Sequence, residues 1–465
     1  MSIKFIHAAD LHIDSPMRIL SSEDPVAGRR IQTATRDALS ELVRVAIERN
    51  VSFVVIAGDL FDNSWDSVET GVWTSAKFRE LDGAGIPVYI VHGNHDKKSA
   101  TLPNMVFPGN VRFFSDAAPE RFVEEFEDAS RGTFERVALT GQSYRSEKCK
   151  TDLASNFPSA EPDAFNIGVL HTDLGTVGSS DYAPTSLDAL NDKRYRYWAL
   201  GHVHVRKTVQ TTPSWIGWSG VLQPRHVNEA TDGGFYLVEV ENGKMVGEPE
   251  RVSCDGLRWF HCKLDLKGID DQDGLKERFL SAMDAIVEDE SLVRSDGTRR
   301  FAAVRLTLTG RTNLFKELVR RGGVGKGKGR GSNSSLGTDL RSDLFVPWLG
   351  RFGRDLWLED VKLEIRPPVE EVGAESGVFA EIKRDAQARI ARYRDPNFDL
   401  EQDDYLADLE TLADLRAVLK DVASSLPKID KLDLFSPEQI ARWREKALDI
   451  IADEIYCATD DANLT

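Results

Sequence analysis

No stretch of about 18 apolar residues occurs anywhere in the 465-residue chain, which excludes a transmembrane helix and a membrane partner. The opening Met1-Ser2-Ile3-Lys4-Phe5-Ile6 lacks a charged segment leading into a long apolar run, so no secretory signal peptide is expected. Cysteine is scarce: four residues, at 149, 254, 262 and 457, lie far apart without a CxxC pair. That spacing argues against a disulfide scaffold and a Cys-type zinc site, and a reducing, cytoplasmic setting is expected. Internal repeats are missing too. So is net positive charge: 59 basic against 76 acidic side chains leave −17, which at first sight speaks against nucleic acid as a partner.

The acidity is unevenly spread. Residues 370–465 hold 23 acidic and 12 basic side chains, a net of −11, so the first 369 residues carry only −6. Charge is therefore read per domain, and the acidic tail addresses solvent or a protein partner. At 41% hydrophobic and 29% charged residues the chain builds a sizeable core, and its length suggests two to four domains.

Phe5-Ile6-His7-Ala8-Ala9 is a short apolar run that ends in Asp10, as a buried strand presenting a polar residue at its carboxyl end would. A helical period over 30–49 follows (Ile31, Ala34, Ala38, Leu42, Val45, Ala46), with Asn50 as a stop. Phe53–Ala57 is a second strand, 66–82 a second helix, and Pro87–Val91 a third strand. This β-α-β-α-β rhythm predicts right-handed crossovers and an α/β sheet. Further strands are expected at 136–140, 166–170, 197–200 and 235–240. Beyond a break near 250–258 come strands at 259–265, 300–309 and 357–366, and helices at 274–288, 311–320 and 338–350. From 370 onward the pattern is helical. Ser436-Pro437-Glu438-Gln439 has the form of a capping box and starts a helix with Ile440, Trp443, Ala447, Ile450, Ile451 and Ile455 on one face.

The strand ends carry the chemistry. They supply Asp10-x-His12, Gly58-Asp59, Gly93-Asn94-His95-Asp96, His171 and Gly201-His202-x-His204. Seven of these residues are oxygen or imidazole donors: Asp10, His12, Asp59, Asn94, His171, His202 and His204. In Asp-x-His and His-x-His at a strand end, residues i and i+2 point to one side and reach one centre. Mixed nitrogen and oxygen donors suit Mn²⁺, Fe²⁺ or Zn²⁺ and suit Mg²⁺ less well. Two such ions, about 3.5–4 Å apart, can activate a water and stabilise charge developing on a phosphoryl group.

These ordered blocks resemble those of the calcineurin-like metallophosphoesterases. The segments Ala8-Ala9-Asp10-Leu11-His12-Ile13-Asp14-Ser15-Pro16, Ala57-Gly58-Asp59-Leu60-Phe61-Asp62 and Val221-Leu222-Gln223-Pro224-Arg225-His226 resemble the bacterial SbcD and YhaO branch of DNA-repair exonucleases, relatives of the meiotic-recombination-eleven nuclease. The likeness is strong over 1–240 and reaches about 366 through Val304–Thr312, similar to the family's capping domain.

The resemblance implies a two-sheet α/β metallophosphoesterase sandwich flanked by helices (1–255), an α+β capping, DNA-binding domain (256–368) and a C-terminal helical segment (369–465). In that family C-terminal helices dock on the coiled-coil base of an SMC-like ATPase. It implies two metal ions, Mn²⁺ first among the candidates. One would be held by Asp10, His12, Asp59 and His204, the other by Asp59, Asn94, His171 and His202, with Asp59 bridging. His95 would be the catalytic histidine, oriented by Asp96; Asp62 stands where some relatives carry a second histidine and is a candidate orienter of the same ring. The implied activity is a 3′-to-5′ exonuclease on duplex DNA ends with endonuclease action at single strands or hairpins, in a homodimer. A phosphoesterase acting on a small molecule or phosphoprotein, and a mainly architectural DNA-end-binding protein, remain as rival readings.

Weaker signals lie elsewhere in the chain. Arg320 to Arg330 holds five positive charges and no acid; it spaces like a P-loop, but Gly329 replaces the required Ser or Thr and no strand leads directly into it. It is a solvated insertion or a mobile finger whose Lys326, Lys328 and Arg330 touch DNA phosphates. Arg225 and His226 form a structural loop or steady a phosphate. Trp215, Trp218, Trp259 and Trp348 are expected in packing rather than base stacking.

Overall fold

The computed structural model describes residues 2–15, 25–62, 68–98, 105–128, 133–175, 179–294, 297–322, 340–352 and 355–368. The chain opens with β1 (Ile3–Ala8), α1 (Pro25–Glu48), β2 (Phe53–Ile56), α2 (Val68–Gly83), β3 (Val88–Ile90) and β4 (Val111–Phe113). It continues through β5 (Glu120–Asp128), β6 (Thr133–Gly141), β7 (Phe165–His171), α3 (Leu187–Asp192), β8 (Tyr197–Gly201), β9 (Lys207–Gln210) and β10 (Trp215–Trp218). Then come β11 (Gly234–Glu241), β12 (Lys244–Met245), β13 (Glu250–Ser253), β14 (Leu257–Asp265), α4 (Gln272–Val287), β15 (Phe301–Arg311), α5 (Phe315–Gly322) and β16 (Leu356–Arg366).

One sheet has the order β12-β11-β1-β2-β3-β4, with β13 also pairing β11. Within it β1 to β4 are parallel and β11 runs antiparallel to β1. The second sheet has the order β5-β6-β7-β8-β10-β9 and a parallel centre, β6 to β10, between antiparallel edges. The period of two along β1 divides its side chains. Phe5 joins the core between the sheets, stacked on Phe53 at 4.9 Å and edge-on to Tyr197 at 5.2 Å. Ile6 and Ala8 face the opposite side, where Ala38, Leu39, Leu42 and Val45 of α1 and Phe78 and Leu81 of α2 cover them. A third core on the far face of the second sheet holds Trp198, Trp218, Tyr195 and Leu190. Each such large apolar side chain contributes roughly 1.5–3 kcal/mol on burial.

The sequence stops α1 at Asn50, and there the backbone turns left-handed, φ 50°, as a residue past a helix end does. The N-terminal half of α1 serves another core: Ile31 and Ala34 pack with Val227, Leu257, Trp259, Phe301, Ala303 and Trp357. Beside it the fully buried Asp255 accepts from Arg300 at 2.9 Å and Arg258 at 3.0 Å. Strands β14, β15 and β16 form a three-stranded sheet in chain order.

The residues fall into two units, Met1–Leu264 with Lys276–Thr307 and Thr338–Lys362, and Asp265–Leu275 with Leu308–Gly337 and Leu363–Thr465. In the second, Leu266 N donates to Thr309 O at 2.9 Å and Thr312 Oγ1 to Ile269 O at 2.8 Å.

One expected helix is corrected. Where a helix was expected over 338–350, the described residues from 340 form a π turn, Arg341–Phe345, running into a 3-10 segment, Val346–Phe352. Pro347 removes an amide from the α-helical ladder and favours that tighter and looser winding. Strands β5, β9 and β10 were not expected: β5 is rich in glutamate, β9 is an exposed edge, and Trp215-Ile216-Gly217-Trp218 has a glycine inside it. Trp215, Trp218 and Trp259 are buried, and Trp348 packs edge-on to Phe345. Residues 323–339 and 369–465, with Lys326, Lys328, Arg330 and the 436–456 helix, lie outside the described residues.

Candidate metal centre

Parallel strands deliver their carboxyl ends to one edge, and ligands gather at such edges in α/β sheets. The exits of β1 and β2 are tied by Asp10 N to Gly58 O and His12 N to Asp59 O, both 3.0 Å, and those of β7 and β8 by Thr172 N to Gly201 O at 3.1 Å. Four of the turning residues are left-handed without being glycine: Asp10 (φ 52°), His12 (44°), Asp59 (53°) and His202 (92°). Non-glycine residues held there store strain of order 1–3 kcal/mol each, and such residues cluster at functional sites. Gly93 must lack a side chain, because a Cβ there would run into the Asp59 carboxylate.

The result brings together all seven donors expected from the sequence. His171 Nε2 lies 3.4 Å from Asp59 Oδ2 and 3.0 Å from Asn94 Oδ1, while its Nδ1 contacts Ala57 O at 2.9 Å. His12 Nε2 is 3.8 Å from Asp59 Oδ2, and His204 Nε2 is 3.8 Å from Asp10 Oδ1. Asp10 also accepts the His202 amide at 3.0 Å, and the His202 ring lies 5.3 Å from that of His171. Three three-residue groups, Asp10–His12–His204, Asp10–Asp59–His171 and His12–Asp62–His95, have donor atoms close enough to share a cation.

The residues fit divalent ions on two observations. His12 is fully buried and neither ring nitrogen has a hydrogen-bond partner, an arrangement costly for a buried imidazole unless something binds it. The electrostatics ask for positive charge. Burial alone lowers a histidine, yet the Asp59 and Asp10 carboxylates raise His171 to about 9, the effect of negative charge concentrated around this ring. Burial drives His12 well below its usual value, and burial with the neighbouring His171 takes His202 down to about 3, leaving both neutral and able to ligate.

His95 is partly buried at the rim, its ring 4.7 Å from that of His12 and its amide donating to Asp59 Oδ1 at 2.9 Å. The two candidate orienters separate. Asp96, expected from sequence to hold this ring, instead accepts the main-chain amides of Phe61, Gly93 and Leu60, at 3.0, 3.0 and 3.3 Å. It staples the Asp59 turn to the Asn94 turn; burial and the Asp59 charge push it up to about 7. Asp62 faces the ring, with Oδ1 3.7 Å from His95 Nδ1.

Arg225 turns inward, donating to Asp62 at 3.0 Å and to Glu229 at 2.9 Å, while His226 is half-exposed and 3.6 Å from Glu229. Glu229 is a site residue that the sequence did not reveal. Its only signal there is a carboxylate four residues after Arg225, a spacing common on any surface.

Comparison with known proteins agrees with this geometry. The calcineurin-like phosphoesterase family profile matches residues 3–206, and that of the middle domain of metallophosphoesterase YhaO matches 259–366. Metallophosphoesterase YhaO of Bacillus subtilis (strain 168) is 32% identical over 311 residues, covering 66% of this chain and 72% of that protein. The DNA double-strand break repair protein Mre11 of Methanopyrus kandleri is 28% identical over 264 residues, 52% of this chain and 55% of that one. The SbcD component of the SbcCD nuclease of Staphylococcus epidermidis is 22% identical over 277 residues, 53% of this chain and 68% of that one. Among the described residues no helix is long and apolar enough to cross a membrane. With a two-sheet sandwich, seven donors at its strand exits and these relatives, the chain belongs to the calcineurin-like metallophosphoesterases, in the branch of YhaO, and is a metal-dependent phosphoesterase.

Proposed function

We propose that the chain is a DNA nuclease that hydrolyses phosphodiester bonds, with 3′-to-5′ exonuclease action on duplex ends and endonuclease action at single strands or hairpins. The observation that carries the reading is the orphaned, fully buried His12 among Asp10, Asp59, His171 and His204, beside a rim histidine paired with a carboxylate. The names of the relatives, a DNA double-strand break repair protein and a nuclease component, support DNA over small phosphodiesters.

Asp10, His12, Asp59 and His204 would hold one ion and Asp59, Asn94, His171 and His202 the other, Mn²⁺ being the best match to the donor set. Such ions supply activation of a water and stabilisation of charge on the phosphoryl oxygens. His95 meets the substrate at the rim and gives a proton to the leaving oxygen, with Asp62 setting the ring's orientation. Asp96 keeps the Asp59 and Asn94 turns in register. The sheet β14-β15-β16 would cap the DNA, the tail from 369 would dock on an SMC-like coiled-coil ATPase, and the enzyme would work as a cytoplasmic homodimer.

The test is cleavage of end-labelled duplex and hairpin DNA with Mn²⁺, comparing wild type with His95→Asn and adding the ATPase partner. DNA cleavage that falls about 10²–10⁴-fold in His95→Asn with Mn²⁺ binding kept supports the proposal. Cleavage of small phosphodiesters alone would replace DNA as the substrate, and DNA binding without any cleavage would leave an architectural protein.

A further inference from the structure

Glu229 ends a short 3-10 turn, Val227–Glu229, and is 5% exposed. Its Oε1 accepts from His204 Nδ1 at 2.8 Å and from Arg225 Nη2 at 2.9 Å, and its Oε2 accepts the Arg225 amide at 2.8 Å. The other fork of Arg225, Nη1, donates to Asp62 Oδ2 at 3.0 Å, an oxygen that also accepts from Ser15 Oγ at 2.8 Å. Asp62 in turn faces His95. A line of hydrogen bonds therefore runs His204–Glu229–Arg225–Asp62, and Asp62 Oδ1 stands 3.7 Å from His95 Nδ1, so the line reaches from a metal-facing imidazole to the rim.

We propose that Arg225 and Glu229 are positioning residues that lock His204 and His95 into one frame, Arg225 acting through Asp62 and Glu229 rather than on a substrate phosphate. The guanidinium is a planar fork whose two ends can serve two acceptors at fixed angles. Both ends are committed here, and the side chain is only 12% exposed. Two buried carboxylates, Asp62 and Glu229, would otherwise lack a shared cation, and a lysine ammonium could not span them as a fork. At the other end, a carboxylate on His204 Nδ1 fixes the tautomer that leaves Nε2 free to ligate.

The inference rests on the phosphodiesterase reading for its substrate but not for its metal arm. Full-length protein carrying Glu229→Gln, Arg225→Lys, Asp62→Asn or the Arg225→Lys/Asp62→Asn pair is titrated with Mn²⁺ by calorimetry. The same proteins are assayed on bis(p-nitrophenyl) phosphate and on labelled duplex DNA, with circular dichroism and melting curves to establish folding. Glu229→Gln is expected to weaken Mn²⁺ binding about 10–100-fold, and Arg225→Lys to lower kcat by a similar factor with KM unchanged. The double variant should be no worse than the more damaged single one, because both break one line. A raised KM with unchanged kcat in Arg225→Lys would make it a phosphate anchor and overturn the inference. So would wild-type Mn²⁺ affinity in Glu229→Gln, or multiplying losses in the double variant. If wild type cleaves neither substrate, the phosphodiesterase reading fails, and the Mn²⁺ titration of Glu229→Gln still decides the frame.

Discussion

His7 and His12 lie five residues apart, one inside β1 and one in its exit loop, and both are fully buried. Inside the sandwich, His7 Nδ1 meets the Tyr197 hydroxyl at 3.0 Å and Nε2 the Leu200 carbonyl at 3.2 Å. The Leu200 carbonyl can only accept, so Nε2 donates; burial lowers the ring to about 3, and the neutral ring is satisfied with Nδ1 accepting from the Tyr197 hydroxyl. In the exit loop, His12 has two unpartnered ring nitrogens and two carboxylates, Asp59 and Asp62, each 3.8 Å away. Burial does not mark a ligand. An unsatisfied buried imidazole facing carboxylates does, because only a cation can answer both deficits at once.

The largest effect that probes this contrast is at Asp59, on the exit-loop side. Asp59→Asn removes the charge that both ion positions would share, and turnover should fall by at least about 10²–10³-fold, the scale of losing one transition-state contact. Mn²⁺ binding should fall with it; cleavage at the wild-type rate would break the assignment. The second effect separates the histidines directly. Mn²⁺ at about a hundred times its Kd should stabilise wild type by about 2.7 kcal/mol, read as a rise in Tm. His12→Ala should lose much of that rise and His7→Phe should keep it whole; equal loss in both would erase the distinction.

Smaller still is the cost of His7→Phe to stability without metal, about 1–3 kcal/mol, since Leu200 O and Tyr197 OH lose their partner. Urea midpoints measure it. The smallest effect is its pH dependence. The native His7 titrates near 3 and the unfolded one near 6.5, so between these values the unfolded chain binds a proton that the native one refuses. Stability from this group is full above about 6.5 and declines as pH falls toward 3. His7→Phe should flatten that acid limb in a pH series of melts; an unchanged limb would mean His7 is protonated in the fold.

Much of the site could be read before folding. Asp10-x-His12 and His202-x-His204 each put two donors on one side of a chain leaving a strand. The first three strands and both early helices followed from apolar runs of period two and 3.6, which are local properties. Both candidate orienters of His95 could be named from sequence, but not which of them lies against the ring. Asp96 adjoins His95 in sequence, whereas Asp62 adjoins it in space, since the short 3-10 turn at Asp96–Lys98 directs the Asp96 side chain back into the main-chain amides. Glu229 gave no signal either, because a single glutamate looks the same on a surface as under a histidine.

What sequence alone established is the inventory and its order: which donors exist, which strand ends carry them, and that borderline divalent ions and a phosphoryl substrate class suit them. This follows because strand period and donor chemistry are set within a few residues. Folding settled the pairings. Packing β1, β2 and β3 in one sheet against β7 and β8 in the other brought Asp59 to His171 across more than a hundred residues. It left His7 satisfied and His12 orphaned, and turned Arg225 from a free cation into a tie between Asp62 and Glu229. Those outcomes depend on distances between segments far apart in the chain, and no local pattern encodes them.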